Sequence, residues 1–281
     1  MTNTHSHLLL VDGMALLFRS FYATAPSGQW MRNSRGVPTN AVHGLIRHLS
    51  AALQTIRPTH VVCCWDMGST TFRTEWFPDY KANRGDPPPE LVPQFDLAKE
   101  AVAALEIPNI GVLGAEADDC IGTIVKQYGS LLNISILTGD RDLFQLLSPN
   151  VSVYLLAKGI GHYEVYTDDR FYEEKGLLPQ QLVDVKALMG DSSDNYPGVR
   201  GIGEKTAFKL IQQYGSIEGL VENLEQLTKA QQKKISENLE MLYLSRKLAT
   251  IYCEIPLSLR LEEAKWTGDF VGLEKVKQML A

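Results

Sequence analysis

The chain has 281 residues, 44% of them hydrophobic, which gives it a sizeable core and excludes a disordered protein. Its formal net charge of −6, from 27 basic and 33 acidic side chains, is the wrong sign for a simple basic nucleic-acid binder. No apolar run approaches the roughly 18–20 residues that cross a bilayer, so no membrane partner is expected. The short polar stretch Met1–His7 lacks a signal-peptide pattern, and a cytoplasmic location is the expectation. The spacing of Cys63, Cys64, Cys120 and Cys253 fits neither a zinc knuckle nor a disulfide framework, so all four read as reduced core or near-core thiols.

Taken in chain order, His7 to Val11 is a continuous apolar run, the pattern of a strand buried on both faces. From Pro38 to Ile56, apolar residues recur at three- and four-residue steps and predict a helix. His60 to Trp65 reads as a strand, Val92 to Leu105 as a helix and Ile110 to Leu113 as a short strand. A helix over Ala117 to Tyr128 follows, ended by Gly129, then a strand at Ile134 to Leu137 and a helix near Arg141 to Leu147. Val151 to Leu155 and Tyr163 to Tyr166 close the pattern. Strands alternating with helices predict an α/β domain over 1–175 with a mostly parallel sheet flanked by helices. Pro179 to Met189, Glu204 to Tyr214, Ile217 to Leu224 and Ala230 to Thr250 are helical in period, so 176–281 reads as a smaller helical domain with a C-terminal tail. Residues 67–90 break the pattern. They are long, polar and aromatic, include the basic residues Lys81 and Arg84, carry Pro87-Pro88-Pro89, and read as a functional connection.

Ligands of an open parallel sheet bind at the carboxyl ends of its strands. Acidic residues follow those ends repeatedly: Asp12, then Asp66, then Glu116, Asp118 and Asp119, then Asp140 and Asp142. Singly, each has a plain structural use. Asp142 with Gln145 makes a capping box, and Glu116 and Asp118 suit a helix N-terminus. Together, seven carboxylates at one edge repel unless protons or cations neutralise them. Magnesium fits, because it takes hard oxygen ligands, keeps waters and binds substrate phosphate. Two such ions roughly 3.5–4 Å apart activate a water and stabilise the leaving oxygen of an in-line phosphoryl displacement. With no His or Cys among the acids, zinc is not expected.

Residues 190–206 read Gly-Asp-Ser-Ser-Asp-Asn-Tyr-Pro-Gly-Val-Arg-Gly-Ile-Gly-Glu-Lys-Thr. Glu204 separates Gly203 from Lys205, so this is not a nucleotide phosphate loop. A tight turn opening a helix remains, with backbone N–H groups that can cradle a phosphate. Lys205 and Lys209, one turn apart, add positive charge.

This string resembles the helix–three-turn–helix motif of bacterial 5′–3′ exonucleases, a family that includes the 5′-nuclease domain of DNA polymerase I and the flap endonucleases. Val-Asp-Gly at 11–13, Tyr-Lys-Ala-Asn-Arg at 80–84, Glu-Ala-Asp-Asp at 116–119 and Thr-Gly-Asp-Arg-Asp-Leu-Phe-Gln-Leu at 138–146 resemble the same family, in the same order. The resemblance covers nearly the whole chain and implies a PIN-like 5′-nuclease fold with a helical arch over about 67–100. It implies a first metal group of Asp12, Asp66, Glu116, Asp118 and Asp140, with Asp119 beside them, and a second of Asp142, Asp191 and Asp194. Lys81 and Arg84 would face the scissile phosphate, with Asp12 and Asp66 also at the chemistry. Phe18, Arg19, Tyr22 and Tyr80 would touch DNA, as would Val199, Gly201, Gly203, Lys205, Thr206 and Lys209. Backbone carbonyls of Val199 and Ile202 would hold a potassium ion. The implied protein is a stand-alone, monomeric, Mg2+-dependent nuclease in which Mn2+ substitutes. It would cut DNA 5′ ends, 5′ flaps and duplex junctions in replication or repair. If the nine acids hold cations, the rest of the chain is net positive. Two other readings stand beside this one: a PIN-like ribonuclease, and a non-catalytic binder of branched DNA.

Overall fold

The computed structural model describes residues 6–24, 28, 30–268 and 272–281, so most of the polar N-terminal stretch and part of the C-terminal tail lie outside the described residues. Strands β1 (His7–Asp12), β2 (His60–Cys64), β3 (Asn109–Ile110), β4 (Asn133–Thr138), β5 (Val151–Leu156) and β6 (Tyr163–Tyr166) form one sheet. Their order is β3-β2-β1-β4-β5-β6. All neighbours are parallel except β6, which runs antiparallel to β5. Asp12 pairs with Cys64, and Val11 with Leu137, so the central strands finish level at one edge.

The two-residue period of β1 explains why Leu8 to Val11 are apolar without a break. Leu8 and Leu10 face one core, with Val62, Cys64, Ile134 and Ile136. Leu9 and Val11 face the other, with Val61, Cys63 and Leu137. Helices α1 (Gly13–Thr24), α2 (Asn40–Ile56) and α4 (Val92–Ala104) cover that second face. The first face is covered by α5 (Ala117–Tyr128) and by the helical part, whose Val185, Leu188 and Leu210 join the same core. Each fully buried Leu there contributes roughly 1.5–3 kcal/mol. Cys63, Cys64 and Cys120 are buried, Cys253 is half-buried, and all four are free thiols.

Several elements differ from the periodicity. The connection expected as an arch carries only a five-residue helix, α3 (Phe72–Trp76), before α4. Between them, residues 77–91 form a non-helical strap. Pro87, Pro88 and Pro89 explain this: they donate no backbone hydrogen bond and push the preceding residues out of the α region. The helix expected near 141–147 is a short 3₁₀ turn, Asp142–Leu146. After α6 (Asp168–Lys175), a 3₁₀ turn at Pro179–Gln181 precedes α7 (Leu182–Met189), where one helix was expected. Next come α8 (Glu204–Tyr214) and α9 (Ile217–Glu222). The single helix expected over 230–250 is two, α10 (Lys229–Ser236) and α11 (Leu239–Ala249). Asn238 breaks it: its side chain donates to the Lys234 carbonyl, a local bond that competes with the helix ladder. The terminal helix α12 (Leu273–Leu280) packs on α4.

Candidate active site

The sheet changes winding direction between β1 and β4, the point where open α/β sheets bind ligands. Asp12 ends β1 there, and Asp140 follows β4. Thr138 ties the two loops together. Its hydroxyl donates to Asp12 Oδ2 at 2.7 Å and accepts from the Asp140 backbone N–H at 2.9 Å. Asp12 Oδ1 accepts from the Ala15 N–H, which caps α1. Gly13 is required beside it, because a Cβ would lie 2.7 Å from the Trp65 ring. Asp66 follows β2 and accepts from the Ala117 N–H at 2.6 Å, at the positive end of α5. Asp118 stands in the first turn of that helix.

Asp12, Asp66, Glu116, Asp118 and Asp140 line one cleft, shared with Phe18, Arg19, Lys81 and Arg84. Burial raises Asp12 to about 7, and repulsion from Asp66 and Asp140 adds to this against the hydrogen bonds from Ala15 and Thr138. Burial likewise pushes Asp118 well up, reinforced by Asp140, Asp12 and Glu116. Among the described residues, Asp12, Asp66, Asp118 and Asp140 have no basic partner within ion-pair distance. No three acidic, His or Cys side chains among the described residues are closed into a ready-made metal cage. The carboxylates share a cleft without touching a common centre.

Two of the seven acids expected at this edge leave the group. Asp119 is fully buried and belongs to Arg73. The guanidinium donates to both carboxylate oxygens, at 2.8 and 2.7 Å, and to the Leu248 and Thr250 carbonyls. Asp119 also accepts from the Glu116 and Tyr252 N–H groups. With its oxygens occupied, Asp119 is a structural anchor between α5 and the end of α11, not a ligand. Asp142 does not form the expected capping box, because Gln145 is bonded to Ala249 and Ile251. Asp142 instead meets Lys186 of α7, which also holds Asp191 at 2.7 Å. Burial and Asp140 raise Asp142 to about 6 against the pull of Lys186. Burial acts upward on Asp191 too, but Lys186 and Ser193 pull it down to about 2.

Asp194 accepts from Arg84 at 2.6 Å and from the Tyr80 hydroxyl at 3.1 Å. Lys81 bonds Glu116 at 2.8 Å and lies 3.9 Å from Asp194. Burial works against the charge on Lys81, but Glu116 and Asp194 hold its pKa above the ordinary value. Lys81 has φ 57°, a left-handed conformation that turns the strap back over the cleft. Three further bonds fasten the strap: Lys81 N–H to the Asp194 carbonyl, Asn83 to the Ser192 carbonyl, and Asn195 to the Asp79 carbonyl. Beneath it is a cavity of about 930 Å³ walled in part by Met14, Phe18, Tyr22, Met67 and Phe95. Phe18 lies 6.3 Å from Tyr22 and 5.9 Å from Phe95, ring centre to ring centre. Arg19 is tied to the Ala157 carbonyl.

The glycine turn forms where α7 ends. Gly190 and Gly198 have positive φ and pack backbone on backbone, and a Cβ on Gly198 would lie 2.3 Å from Gly190 N. Val199 and Ile202 are buried, and the Val199 carbonyl accepts from Ile202 N–H. The Gly201 carbonyl accepts from Lys234 at 2.9 Å. Gly203 opens α8, on which Lys205 and Lys209 are exposed and Thr206 is half-buried. Sequence reasoning missed Arg73, Lys186 and Thr138. The five-residue step from Lys186 to Asp191 across a helix end was the one local signal.

An acid-lined cleft at a sheet switch point, roofed by a strap that brings Lys81 and Arg84 to it and flanked by a glycine turn, defines the class of 5′ nucleases. Residues 7–176 match the family described as 5′-3′ exonuclease, N-terminal resolvase-like domain. Residues 177–269 match 5′-3′ exonuclease, C-terminal SAM fold. The chain belongs to the 5′–3′ exonuclease family. It is 59% identical over 276 residues to the 5′-3′ exonuclease of Bacillus subtilis (strain 168), covering 98% of this chain and 92% of that one. It is 42% identical over 262 residues to DNA polymerase I of Lactococcus lactis subsp. cremoris (strain MG1363), covering 92% of this chain but 30% of the polymerase. In fold it is similar to T5 5′-exonuclease with zinc bound (TM-score 0.73, 24% identity, 88% of this chain and 90% of that one). The catalytic core of Rad2 in complex with DNA substrate is a further fold neighbour (TM-score 0.64, 15% identity, 98% and 87%).

Proposed function

We propose that this nuclease is a magnesium-dependent, structure-specific enzyme acting on DNA 5′ ends and 5′ flaps. The observation that carries the reading is the cleft itself. Five carboxylates line it, four of them without a basic partner among the described residues, and two cationic side chains reach it from the strap. The donor set fits a hard divalent cation: it is all oxygen, and burial and mutual repulsion already disfavour joint ionisation of its acids. Asp12, Asp66, Glu116, Asp118 and Asp140 would hold one ion, and Asp142, Asp191 and Asp194 another. Such ions supply an activated water and stabilise the leaving oxygen. Mn2+ would replace Mg2+.

The chain's own residues do the rest. The turn at 198–203 and the start of α8 offer N–H groups and Lys205 and Lys209 to a duplex backbone, without reading sequence. Carbonyls of Val199 and Ile202 would accept a potassium ion at this turn. An unpaired 5′ strand would lie in the cavity beneath the strap, against Phe18, Tyr22 and Phe95, where bases can stack. Tyr80 fixes the acids at the mouth. Lys81 and Arg84 would turn from Glu116 and Asp194 to the scissile phosphate and offset charge growing on its oxygens. Residues 1–175 would carry the chemistry and 176–281 the duplex, in a monomer acting in replication or repair. Products would carry a 5′-phosphate and a 3′-hydroxyl.

A labelled 5′ flap incubated with Mg2+ should be cut near the junction, and a chelator should stop the reaction. Equal cleavage in the chelator, or cleavage of single-stranded RNA in preference to the flap, would reject the reading.

A further inference from the structure

The acids proposed for the two ions are neutralised differently, and at Asp142 and Asp191 one side chain makes the difference. Lys186 lies on α7, and its side chain is 12% exposed. Its ammonium bonds Asp142, which follows β4, and Asp191, which follows α7. It is the one basic side chain among the described residues within ion-pair distance of either acid. The remaining oxygen of Asp191 is taken by Ser193 and by the Asp194 N–H. Lys186 therefore sits where a cation shared by Asp142 and Asp191 would sit.

We propose that Lys186 is a built-in occupant of the second carboxylate set, which a divalent ion must displace before it can bind there. Lys186 thus sets the second ion's affinity relative to the first. The inference rests on the metal-centre reading above. The geometry sets the two cations in competition for the same oxygens. An ammonium at 2.7 Å from Asp191 uses the oxygen that a metal would approach to about 2.0–2.1 Å, and two positive charges so close repel. A lysine suits this role better than an arginine. Its four-carbon stem can swing out, and its compact head is well hydrated once free. In the first set Lys81 holds Glu116, but Asp12, Asp66, Asp118 and Asp140 have no basic partner within ion-pair distance among the described residues, so an ion meets those four without displacing a cation.

The test is a Mn2+ titration of the DNA-free full chain, with free Mn2+ read by electron paramagnetic resonance. The native chain should show one tight class of site and one weak class. Lys186→Met keeps the length and removes the charge. It should leave the tight class unchanged and strengthen the weak class by about tenfold or more, the equivalent of one charge-assisted hydrogen bond no longer to be broken. A weak class unchanged in K186M overturns the role of Lys186 while leaving the metal centre intact. Absence of any binding in either chain overturns the metal-centre reading, and this inference with it. Should K186M fail to fold, the native chain with ¹³Cε-labelled lysine provides the same decision, with Lys186 assigned from K186R. Its resonance should move with the second equivalent of Mg2+. Movement with the first equivalent, or none, rejects the displacement.

Discussion

The two carboxylate sets are chemically alike and electrostatically opposite. Around Asp12 and Asp118, acids crowd one another in a buried cleft, neither has a basic partner within ion-pair distance among the described residues, and their pKa values rise. Around Asp191 and Asp194, each acid is claimed by Lys186, Arg84 or Lys81, and Asp191 falls to about 2. The first set is assembled by the sheet, whose strand ends are fixed by hydrogen bonds and both cores. The second is assembled by side chains, because its acids come from a 3₁₀ turn and a glycine turn that the sheet does not align. A sheet can hold unneutralised charge in place through its own hydrogen bonds, whereas acids on turns are held here by counter-ions.

The largest expected effect breaks the first set. Asp118→Ala or Asp140→Ala should lower kcat on a flap by about a thousandfold or more, measured in single-turnover assays with Mg2+. Near-normal turnover in either variant would remove that acid from the centre. Next is the acid that only looks like a member. Arg73→Met leaves Asp119 buried and unpaired and should cost roughly 3–5 kcal/mol in urea unfolding. A loss below about 1 kcal/mol would mean that Asp119 has another partner.

A third prediction separates the sets by pH. Asp12 titrates at about 7 in the folded chain against an ordinary 3.8, so the protonated folded form is favoured. Its contribution is complete in acid and is lost as pH rises through about 7. Asp191 has the opposite sign: at about 2, its contribution is present above 3.8 and is lost as pH falls through about 2. In chelator, Tm should therefore drop between about pH 5 and about pH 8, and Asp12→Asn should flatten that slope. A native Tm flat over this range would contradict the crowding. The smallest effect lies outside both sets. Lys205→Ala or Lys209→Ala should weaken duplex binding a few-fold and lower the salt slope by roughly 1, checked by titrations at several salt concentrations.

The first set was legible in the sequence because a buried strand announces its own end. His7 to Val11 is apolar and Asp12 is not, and the same break recurs at Asp66 and Asp140. The parallel sheet then brings distant breaks to one edge. Asp119 was misread because its partner lies 46 residues away, and pairing of two buried charges leaves no periodic trace. Lys186 was passed over because one lysine on a short helix looks like a solvated surface residue until the helix end curls its Asp191 back to it. The span anticipated as a helical arch is helical at its two ends, in α3 and α4, and three consecutive prolines keep its middle out of a helix. The division of the last long helix at Asn238 rests on a single side-chain bond that periodicity cannot register.

The fastening of the strap has a mechanical consequence. Asp79, Lys81, Asn83 and Arg84 are all bound to residues 192–195, the peptide units that also carry Asp194. The roof cannot lift while that floor stays still. On the function proposed above, tension on a strand threaded beneath residues 79–84 would be delivered straight to the loop proposed to hold the second ion, and the path of the polymer and the geometry of the chemistry would share one hinge.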